Sequence, residues 1–336
     1  MKLQKLLQQN NTIFKKGVKI VLLLFFTPFF LFADAHIFVY HRFGDNRHKS
    51  TNISIKELKK EFEYFKKHNY KVIKLSTLIK AIKDKKKIDD RWIVLTIDDS
   101  YKSFYENGLD IFKKYDYPFT IFVYVKSVDK NYGDFTTWKQ LKEIAKYGEI
   151  AYHSYSHPHM TQKSDQYLKN NFAKGLKIFE NKMGFKPKYF AYPYGEFDDR
   201  VKKIAQKFNF HAILNQNIGA INNYSDIFSL DRIALTGKSN LKRDLSYKHL
   251  NLRWIYPKSF PTNGILKQIV AKLDCNKTVN INYYISHYGW HKAKAKNGFI
   301  KIKLNNKLSN GRNRIIIKLN NKIDTKLLIK DKYEHK

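Results

Sequence analysis

Short apolar runs alternate with amphipathic segments along the chain as far as Leu214. The apolar runs predict strands at Ile37–Tyr40, Lys71–Lys74, Trp92–Thr96, Phe119–Val125, Ile150–Tyr152, Tyr189–Ala191 and Phe210–Leu214. The intervening segments predict helices that begin at Ser54 and Ser76 or span Phe104–Tyr115, Trp138–Tyr147, Gln166–Met183 and Asp198–Phe208. Gly148 and Gly184 are expected to end two of these helices as C-terminal caps. Repeated βα units predict a parallel sheet covered by helices, either a barrel or an open sheet.

The pattern changes after Gly237. Apolar and polar residues then alternate with a period of two over Val279–Ile285, Phe299–Leu304 and Ile315–Leu319. This alternation predicts a small all-β, sandwich-like domain. We therefore expect an α/β domain at residues 36–245 and a basic β-rich domain at residues 246–336.

The N-terminus has the pattern of an export signal. Lys15, Lys16 and Lys19 precede an apolar run from Ile20 to Phe32, and Ala33-Asp34-Ala35 matches a cleavage site. The apolar run is shorter than the roughly 20 residues of a membrane span. We expect a signal peptide at residues 1–35, with an uncleaved membrane anchor as the alternative. Either one predicts a periplasmic or extracellular location for the rest of the chain.

Composition narrows the choice of chemistry. Cys275 is the only cysteine among 336 residues, which excludes an internal disulfide and a cysteine-based zinc site. The formal net charge is +35, and residues 238–336 hold 23 Lys or Arg against five Asp or Glu. This basic region predicts either an anionic envelope polymer as a partner or ordinary solvated lysines, and the two interpretations weigh equally.

Polar residues follow two of the predicted strands. Asp98 and Asp99 come after one strand, and His153 and His157 lie four residues apart after another. Two carboxylates and two imidazoles at strand ends are the groups that a hydrolytic divalent-metal site needs. The alternative is a solvated acidic turn and a pair of polar loop histidines. His159 is expected to be exposed or to lie behind the metal ligands.

Three segments resemble the motifs of the polysaccharide deacetylases of carbohydrate esterase family 4. They are Leu95–Ser100, His153–His157 and Phe190–Gly195, and the similarity extends from about Val39 to about Leu235. The resemblance implies a distorted (β/α)7-type barrel. Val39-Tyr40-His41-Arg42 is similar to the opening segment of a permuted branch of extracellular poly-N-acetylglucosamine deacetylases.

The resemblance also implies roles for individual residues. Asp99, His153 and His157 would hold a divalent metal ion, expected to be Zn²⁺, and Asp98 would act as the general base. The Tyr194 backbone N–H would stabilise the oxyanion. His41 would be the general acid, with His287 as a lower-ranked alternative.

Two departures from the family motifs stand out. Ser100 replaces a glycine in the first motif, and Ala191 replaces the arginine that orients the catalytic aspartate in the third. Asp231-Arg232 follows a late apolar run, so Arg232 is expected to supply the missing charge, the alternative being a surface ion pair. Tyr192, Pro193 and Phe43 are expected to contact the sugar.

These features predict a secreted metal-dependent hydrolase. It would remove N-acetyl groups from a polysaccharide that contains N-acetylglucosamine, either an exopolysaccharide or peptidoglycan. An O-acetyl esterase acting on a glycan and a catalytically decayed glycan-binding protein are the alternatives. No nucleic-acid partner is expected, because the export signal disfavours it and no common nucleic-acid-binding motif is present.

Overall fold

The computed structural model describes residues 34–330. The first ten strands are β1 (His36–Tyr40), β2 (Arg42–Phe43), β3 (Asn52–Ile53), β4 (Lys71–Val72), β5 (Trp92–Ile97), β6 (Phe119–Val123), β7 (Glu149–Tyr152), β8 (Tyr189–Ala191), β9 (Ala212–Leu214) and β10 (Ile233–Ala234). The last eight are β11 (Lys248–His249), β12 (Leu252–Tyr256), β13 (Ile265–Leu273), β14 (Val279–Ile285), β15 (Gly289–Ala295), β16 (Phe299–Lys307), β17 (Arg312–Leu319) and β18 (Lys322–Ile329). The helices are α1 (Ile55–Lys67), α2 (Leu75–Lys83), α3 (Leu109–Tyr115), α4 (Val125–Asp129), α5 (Trp138–Ile144), α6 (Asp165–Met183), α7 (Asp199–Gln206) and α8 (Leu241–Ser246).

Eight strands form one parallel sheet. Its order is β10-β1-β5-β6-β7-β8-β9, and β4 also pairs with the amino-terminal end of β5. Every strand pair in it is parallel. The predicted α/β class is confirmed, and the sheet curls as in a (β/α) deacetylase barrel. Because the strands are parallel, their carboxyl ends lie along one rim, where sites in such folds are built.

One short segment touches both edges of the curled sheet. Leu230 forms a parallel bridge with Leu214 of β9, while β10 pairs with β1 through Phe38 and Ile233. Arg232 lies between these two pairings and is completely buried. Strand β10 has only two residues, which are too few to show a period in the sequence.

Hydrophobic side chains alternate between the two faces of the sheet. The outer face packs Phe38, Leu95 and Ile121 against the helices, in a core that also holds Phe62 and Phe112. The inner face belongs to a separate cluster, which includes Ile37, Val94, Ala151, Ala191 and Leu214. The interior of the curled sheet is therefore packed. Polar groups enter it at the carboxyl rim and also at the amino end of β6 and β7, where Thr120 Oγ1 donates to Glu149 at 2.9 Å.

Local signals explain several element ends. Ser54 forms a capping box with Glu57 at the start of α1, and α6 ends at Gly184, whose φ is +83°. Gly148 does not cap α5, contrary to expectation, because that helix ends earlier, at Ile144. A Cβ at Gly148 would approach the Phe119 ring to 2.3 Å, so the glycine allows close packing instead.

The last third of the described chain forms two small sheets. One has the order β11-β18-β17-β14-β15 and the other β12-β13-β16. Ile281, Ile285 and Ile317 from the larger sheet share a core with Leu266 and Ile300 from the smaller one. This arrangement agrees with the expected sandwich-like all-β region, whose first strand begins at Lys248.

The expected signal peptide lies almost entirely outside the described residues. Its final residue, Ala35, is buried and exchanges two 2.8 Å backbone hydrogen bonds with Ile221. Cleavage after Ala35 would remove this pairing. Within residues 34–330, none of the helices has the length and apolar character needed to cross a bilayer.

Candidate active site

The predicted functional residues converge at the carboxyl rim of the parallel sheet. Asp98 and Asp99 follow β5, His153 follows β7, Tyr194 follows β8, and His41 follows β1. These segments are distant in sequence, and the parallel sheet brings them together because each strand ends at the same rim.

Asp99, His153 and His157 form a group of ligand atoms that fits one metal ion. Asp99 Oδ1 lies 3.0 Å from His157 Nε2 and 3.4 Å from His153 Nε2. The two Nε2 atoms are 3.2 Å apart. One carboxylate and two imidazoles pointing at a common centre provide three of the four ligands of a catalytic zinc site.

The orientation of His153 suits metal binding. Its Nδ1 lies 2.8 Å from the carbonyl oxygen of Ala191. Because a carbonyl can only accept, Nδ1 carries the proton and donates it, which leaves the Nε2 lone pair of the neutral ring directed at Asp99. Ala191 replaces the third-motif arginine, and its backbone carbonyl orients the His153 ring.

A buried acceptor without a donor supports the same conclusion. Asp99 Oδ1 is buried, and no group meets hydrogen-bond geometry at it. Burial raises the pKa of Asp99, but the imidazoles of His153 and His157 outweigh burial and hold that pKa well below its ordinary value. Burial also lowers the pKa of His153, yet the charges of Asp98 and Asp99 raise it overall. The residues present fit a divalent cation, which would satisfy all three groups at once.

Asp98 is paired with Arg232 inside the curled sheet. Arg232 Nη1 donates to Asp98 Oδ1 at 2.7 Å and Nη2 donates to Oδ2 at 2.8 Å. Arg232 also donates through Nε to the carbonyl of Asn215 and through Nη1 to Thr96 Oγ1. Both charged side chains are fully buried. The structure thus places Arg232 against Asp98, and this ion pair does not lie on the surface.

The ion pair keeps Asp98 charged. Burial raises the pKa of Asp98, but the charge and hydrogen bonds of Arg232, together with His153 and His41, outweigh burial, and the pKa lies below its ordinary value. Gln216, which follows β9, donates to Asp98 Oδ2 at 3.3 Å. Asp98 is therefore an ionised, oriented carboxylate beside the three candidate metal ligands.

His41 lies within electrostatic reach of both carboxylates. Burial lowers its pKa, while the negative charges of Asp99 and Asp98 oppose that shift. His287, the alternative general acid, is exposed in the turn between β14 and β15. Only His41 of these two shares an electrostatic environment with the aspartates, which favours it for proton transfer.

Tyr194 sits in a turn that several groups hold in place. Its φ is +58°, and its ring stacks on His159 at 4.1 Å and meets His157 edge-on at 4.4 Å. Glu196 is 1% exposed and binds His159 Nδ1 at 2.7 Å. Arg312 from β17 donates to the Tyr194 carbonyl at 2.6 Å. In a single 3₁₀ turn the Tyr194 N–H has no acceptor within the helix, so it is available to a ligand.

Three predicted sugar contacts are corrected by the structure. Phe43 and Tyr192 have no exposed surface, and Pro193 is buried as well. Phe43 packs against Phe104, while the Tyr192 hydroxyl donates to the carbonyl of Phe228. These side chains stabilise the core and have no surface on which a sugar could stack.

Other aromatic residues lie around the candidate metal ligands. Tyr101 stacks on Phe135 at 4.8 Å, and Tyr124 lies 5.4 Å from His157. Together with Tyr194 these half-buried rings form an aromatic rim. Arg42 lies over the Tyr101 ring at 3.5 Å from its centroid. Such a rim offers the stacking surface that the buried residues lack.

Backbone strain is concentrated at the site. Asp99, Ser100, Ser154, His157 and Tyr194 all have φ between +50° and +72°. Non-glycine residues avoid this region, and such outliers gather where a site fixes its side chains. Ser100 occupies the position of the family glycine and adopts the left-handed backbone conformation that glycine favours.

The comparisons with known proteins agree with this geometry. Residues 85–213 match the family model of polysaccharide deacetylases. The Bacillus subtilis (strain 168) protein YxkH, which is named after the same family, is 25% identical over 61% of this chain and 72% of its own length. The poly-beta-1,6-N-acetyl-D-glucosamine N-deacetylase of Staphylococcus epidermidis is 26% identical over 47% of this chain and 60% of its own.

A solved structure gives the same result for the fold. The Streptococcus pyogenes deacetylase PplD, in complex with acetate, superposes with a TM-score of 0.58 at 20% identity, over 62% of this chain and 96% of that chain. The chain carries a polysaccharide deacetylase domain. The family model and the two named relatives class it with deacetylase hydrolases.

The metal site makes a direct prediction about two neighbouring histidines. Replacing His157 with Ala should lower Zn²⁺ affinity by about 100-fold or more, because one of three converging ligands is lost. His159→Ala is the matched control and should lower it by less than about tenfold, since His159 contacts Tyr194 and Glu196 instead. Competition with a chromogenic chelator on metal-stripped protein measures both. Equal losses in the two variants would contradict the assigned ligand set.

Proposed function

We propose that this protein is an exported, metal-dependent hydrolase that removes N-acetyl groups from a polysaccharide containing N-acetylglucosamine. The observation that carries the proposal is the ionised Asp98, held by Arg232, beside the Asp99, His153 and His157 group. The name of the Staphylococcus epidermidis relative supports the substrate class.

Asp99, His153 and His157 would hold the ion, which we take to be Zn²⁺. Such an ion supplies Lewis-acid polarisation of the scissile carbonyl and makes water easier to deprotonate. The pairing of one carboxylate with two neutral imidazoles suits Zn²⁺ better than Mg²⁺ or Ca²⁺, which prefer oxygen ligands alone.

Asp98 is the general base. Its carboxylate takes a proton from the attacking water as the water oxygen bonds to the acetamide carbon. Arg232 keeps that carboxylate ionised and fixes its orientation through two parallel hydrogen bonds. Because the bidentate pair is buried, the carboxylate does not rotate away between turnovers.

Tyr194 stabilises the oxyanion, and His41 protonates the leaving nitrogen. The Tyr194 backbone N–H donates to the oxygen that becomes negative in the tetrahedral intermediate. His41 donates a proton to the nitrogen as the C–N bond breaks, which releases acetate and a free amine. Burial lowers the pKa of His41 overall, and the negative charges of Asp99 and Asp98 offset part of that shift.

Export is supported by the lysines and apolar run at the N-terminus. Ala35 pairs with Ile221, so a signal peptidase that left this pairing intact would cleave before Ala35. N-terminal sequencing of protein recovered outside the cytoplasm checks this, and a recovered chain that retains residues 1–33 would identify an anchor instead.

Deacetylation is tested on the full-length protein, stripped of metal and reloaded with Zn²⁺. We expect release of acetate and free amines from β-1,6- or β-1,4-linked N-acetylglucosamine oligomers or from peptidoglycan. Asp98→Asn removes the base while it preserves the side-chain shape, and should lower kcat by about 100-fold or more.

The outcomes separate the competing functions. Acetate release without amine release would indicate an O-acetyl esterase. No release of acetate from any of these glycans together with no bound zinc would contradict the proposal and favour a glycan-binding protein. Equal activity of the Asp98→Asn variant would remove Asp98 from its role.

Arg312 should act as a positioning residue for the Tyr194 turn. Arg312→Ala should lower kcat by about tenfold with little change in KM, because the turn that aims the Tyr194 N–H loses its anchor while the metal ligands stay in place. Arg312→Lys should restore part of the loss. Steady-state kinetics on an N-acetylglucosamine oligomer measures both variants.

Arg253 provides the matched control, since it is an exposed arginine on β12 of the same all-β region. Arg253→Ala should leave kcat and KM unchanged. A loss in Arg312→Ala that falls on KM alone would contradict the positioning role.

A further inference from the structure

We propose that the β14–β15 hairpin extends the catalytic cleft as a binding surface for an acetylated polysaccharide chain. The surface, here called the hairpin strip, consists of Asn280, Asn282, Tyr284, Trp290, Lys292 and Lys294. This inference rests on the proposed function and assigns a role to the all-β region.

The strand register places these six side chains on one face. Asn280 pairs with Lys294, Asn282 with Lys292, and Tyr284 with Trp290. Directly paired residues of antiparallel strands project to the same side. The intervening residues of β14, Ile281, Tyr283 and Ile285, are buried in the sandwich core. The strip therefore faces away from that core.

Strand β17 of the same sheet contacts the deacetylase domain through the face that carries the strip. β14 pairs with β17, and there Tyr284 lies opposite Ile316. On that face of β17, Arg312 donates to the Tyr194 carbonyl and Arg314 donates to the Gln216 carbonyl at 3.3 Å. Strands β17 and β18 thus cover the rim of the parallel sheet, while the hairpin continues beyond them.

The aromatic end of the strip lies on the side of the catalytic residues. The N–H of Ser286, two residues after Tyr284, bonds to the Arg314 carbonyl at 2.9 Å. Arg314 contacts Gln216, whose side chain reaches Asp98. From Tyr284 to Asn280 the strand advances about 14 Å, at roughly 3.4 Å per residue. A glycan that enters the cleft would therefore meet Tyr284 and Trp290 first and then the amides and lysines.

The chemistry of the strip fits a sugar chain. Trp290 is 51% exposed, and its ring lies 5.4 Å from that of Tyr284, which forms an aromatic platform. Exposed aromatic rings stack on the apolar faces of pyranoses, while the Asn280 and Asn282 amides can donate to and accept from hydroxyls and acetamides.

The charge of the strip selects between substrate and product. Lys292 and Lys294 are exposed on it, and no carboxylate is among its six residues. A deacetylated glycan carries ammonium groups, which these lysines repel, whereas an acetylated glycan is neutral. The strip should therefore bind the acetylated chain and release the amine-bearing one.

The test uses zinc-loaded, full-length protein and oligomers of three to eight N-acetylglucosamine units. In the wild type KM should fall as the chain lengthens, since longer chains reach the strip. In Trp290→Ala this gain should be lost, with KM for the longest oligomer raised about fivefold to thirtyfold, the range of a buried aromatic contact. Phe299→Ala, an aromatic residue on the opposite small sheet with 47% exposure, is the control and should keep the wild-type length dependence.

Direct binding separates this inference from the proposed function. Calorimetry with the same oligomers, acetylated and fully deacetylated, should show tighter binding of the acetylated chain, weakened by Trp290→Ala. If no glycan is hydrolysed but this binding pattern is found, the strip stands and the catalytic proposal falls. A KM independent of chain length in the wild type, or equal effects of Trp290→Ala and Phe299→Ala, would overturn the strip.

Discussion

The buried ion pair between Asp98 and Arg232 is the interaction on which the site depends. A charged aspartate inside a packed sheet is costly unless a partner neutralises it, and the two parallel hydrogen bonds from Arg232 do so. Arg232 reaches Asp98 because the segment around β10 links the two edges of the curled sheet. The segment that closes the sheet therefore also carries the arginine that keeps the candidate base ionised.

The rest of the site is arranged around that pair by backbone groups and by the all-β region. The Ala191 carbonyl accepts a hydrogen bond from His153 Nδ1 and so fixes which ring nitrogen carries the proton. The strand that lacks the family arginine therefore still orients a candidate metal ligand. Arg312 anchors the Tyr194 turn, and Arg314 anchors the segment that carries Gln216. The C-terminal sheet thus holds two of the loops that surround the aspartates, which connects a remote part of the chain to the chemistry.

Local sequence patterns were sufficient to predict the βα units and to point to the candidate metal group. The candidate ligands lie just after strands whose apolar runs are easy to identify: Asp99 after β5, and His153 and His157 after β7. A parallel sheet brings the ends of these strands together. Arg312 could not be found in this way, because an arginine in a lysine-rich strand resembles a solvated residue. The sugar contacts Phe43 and Tyr192 were misassigned because a motif shows which residues are near a site and not which way each side chain points. Strands β13, β15 and β18 were missed where lysines interrupt or mask the alternation.

A double-mutant cycle on Asp98 and Arg232 tests the central claim most directly. The free energy of unfolding by urea is compared for the wild type, Arg232→Met, Asp98→Asn and the double variant, all metal-free. Our account predicts that Arg232→Met destabilises the fold by about 3–5 kcal/mol, because it leaves a buried charge unpaired, and that the double variant is more stable than Arg232→Met alone. Additive effects would contradict it, since they would mean that Arg232 does not stabilise a charged Asp98.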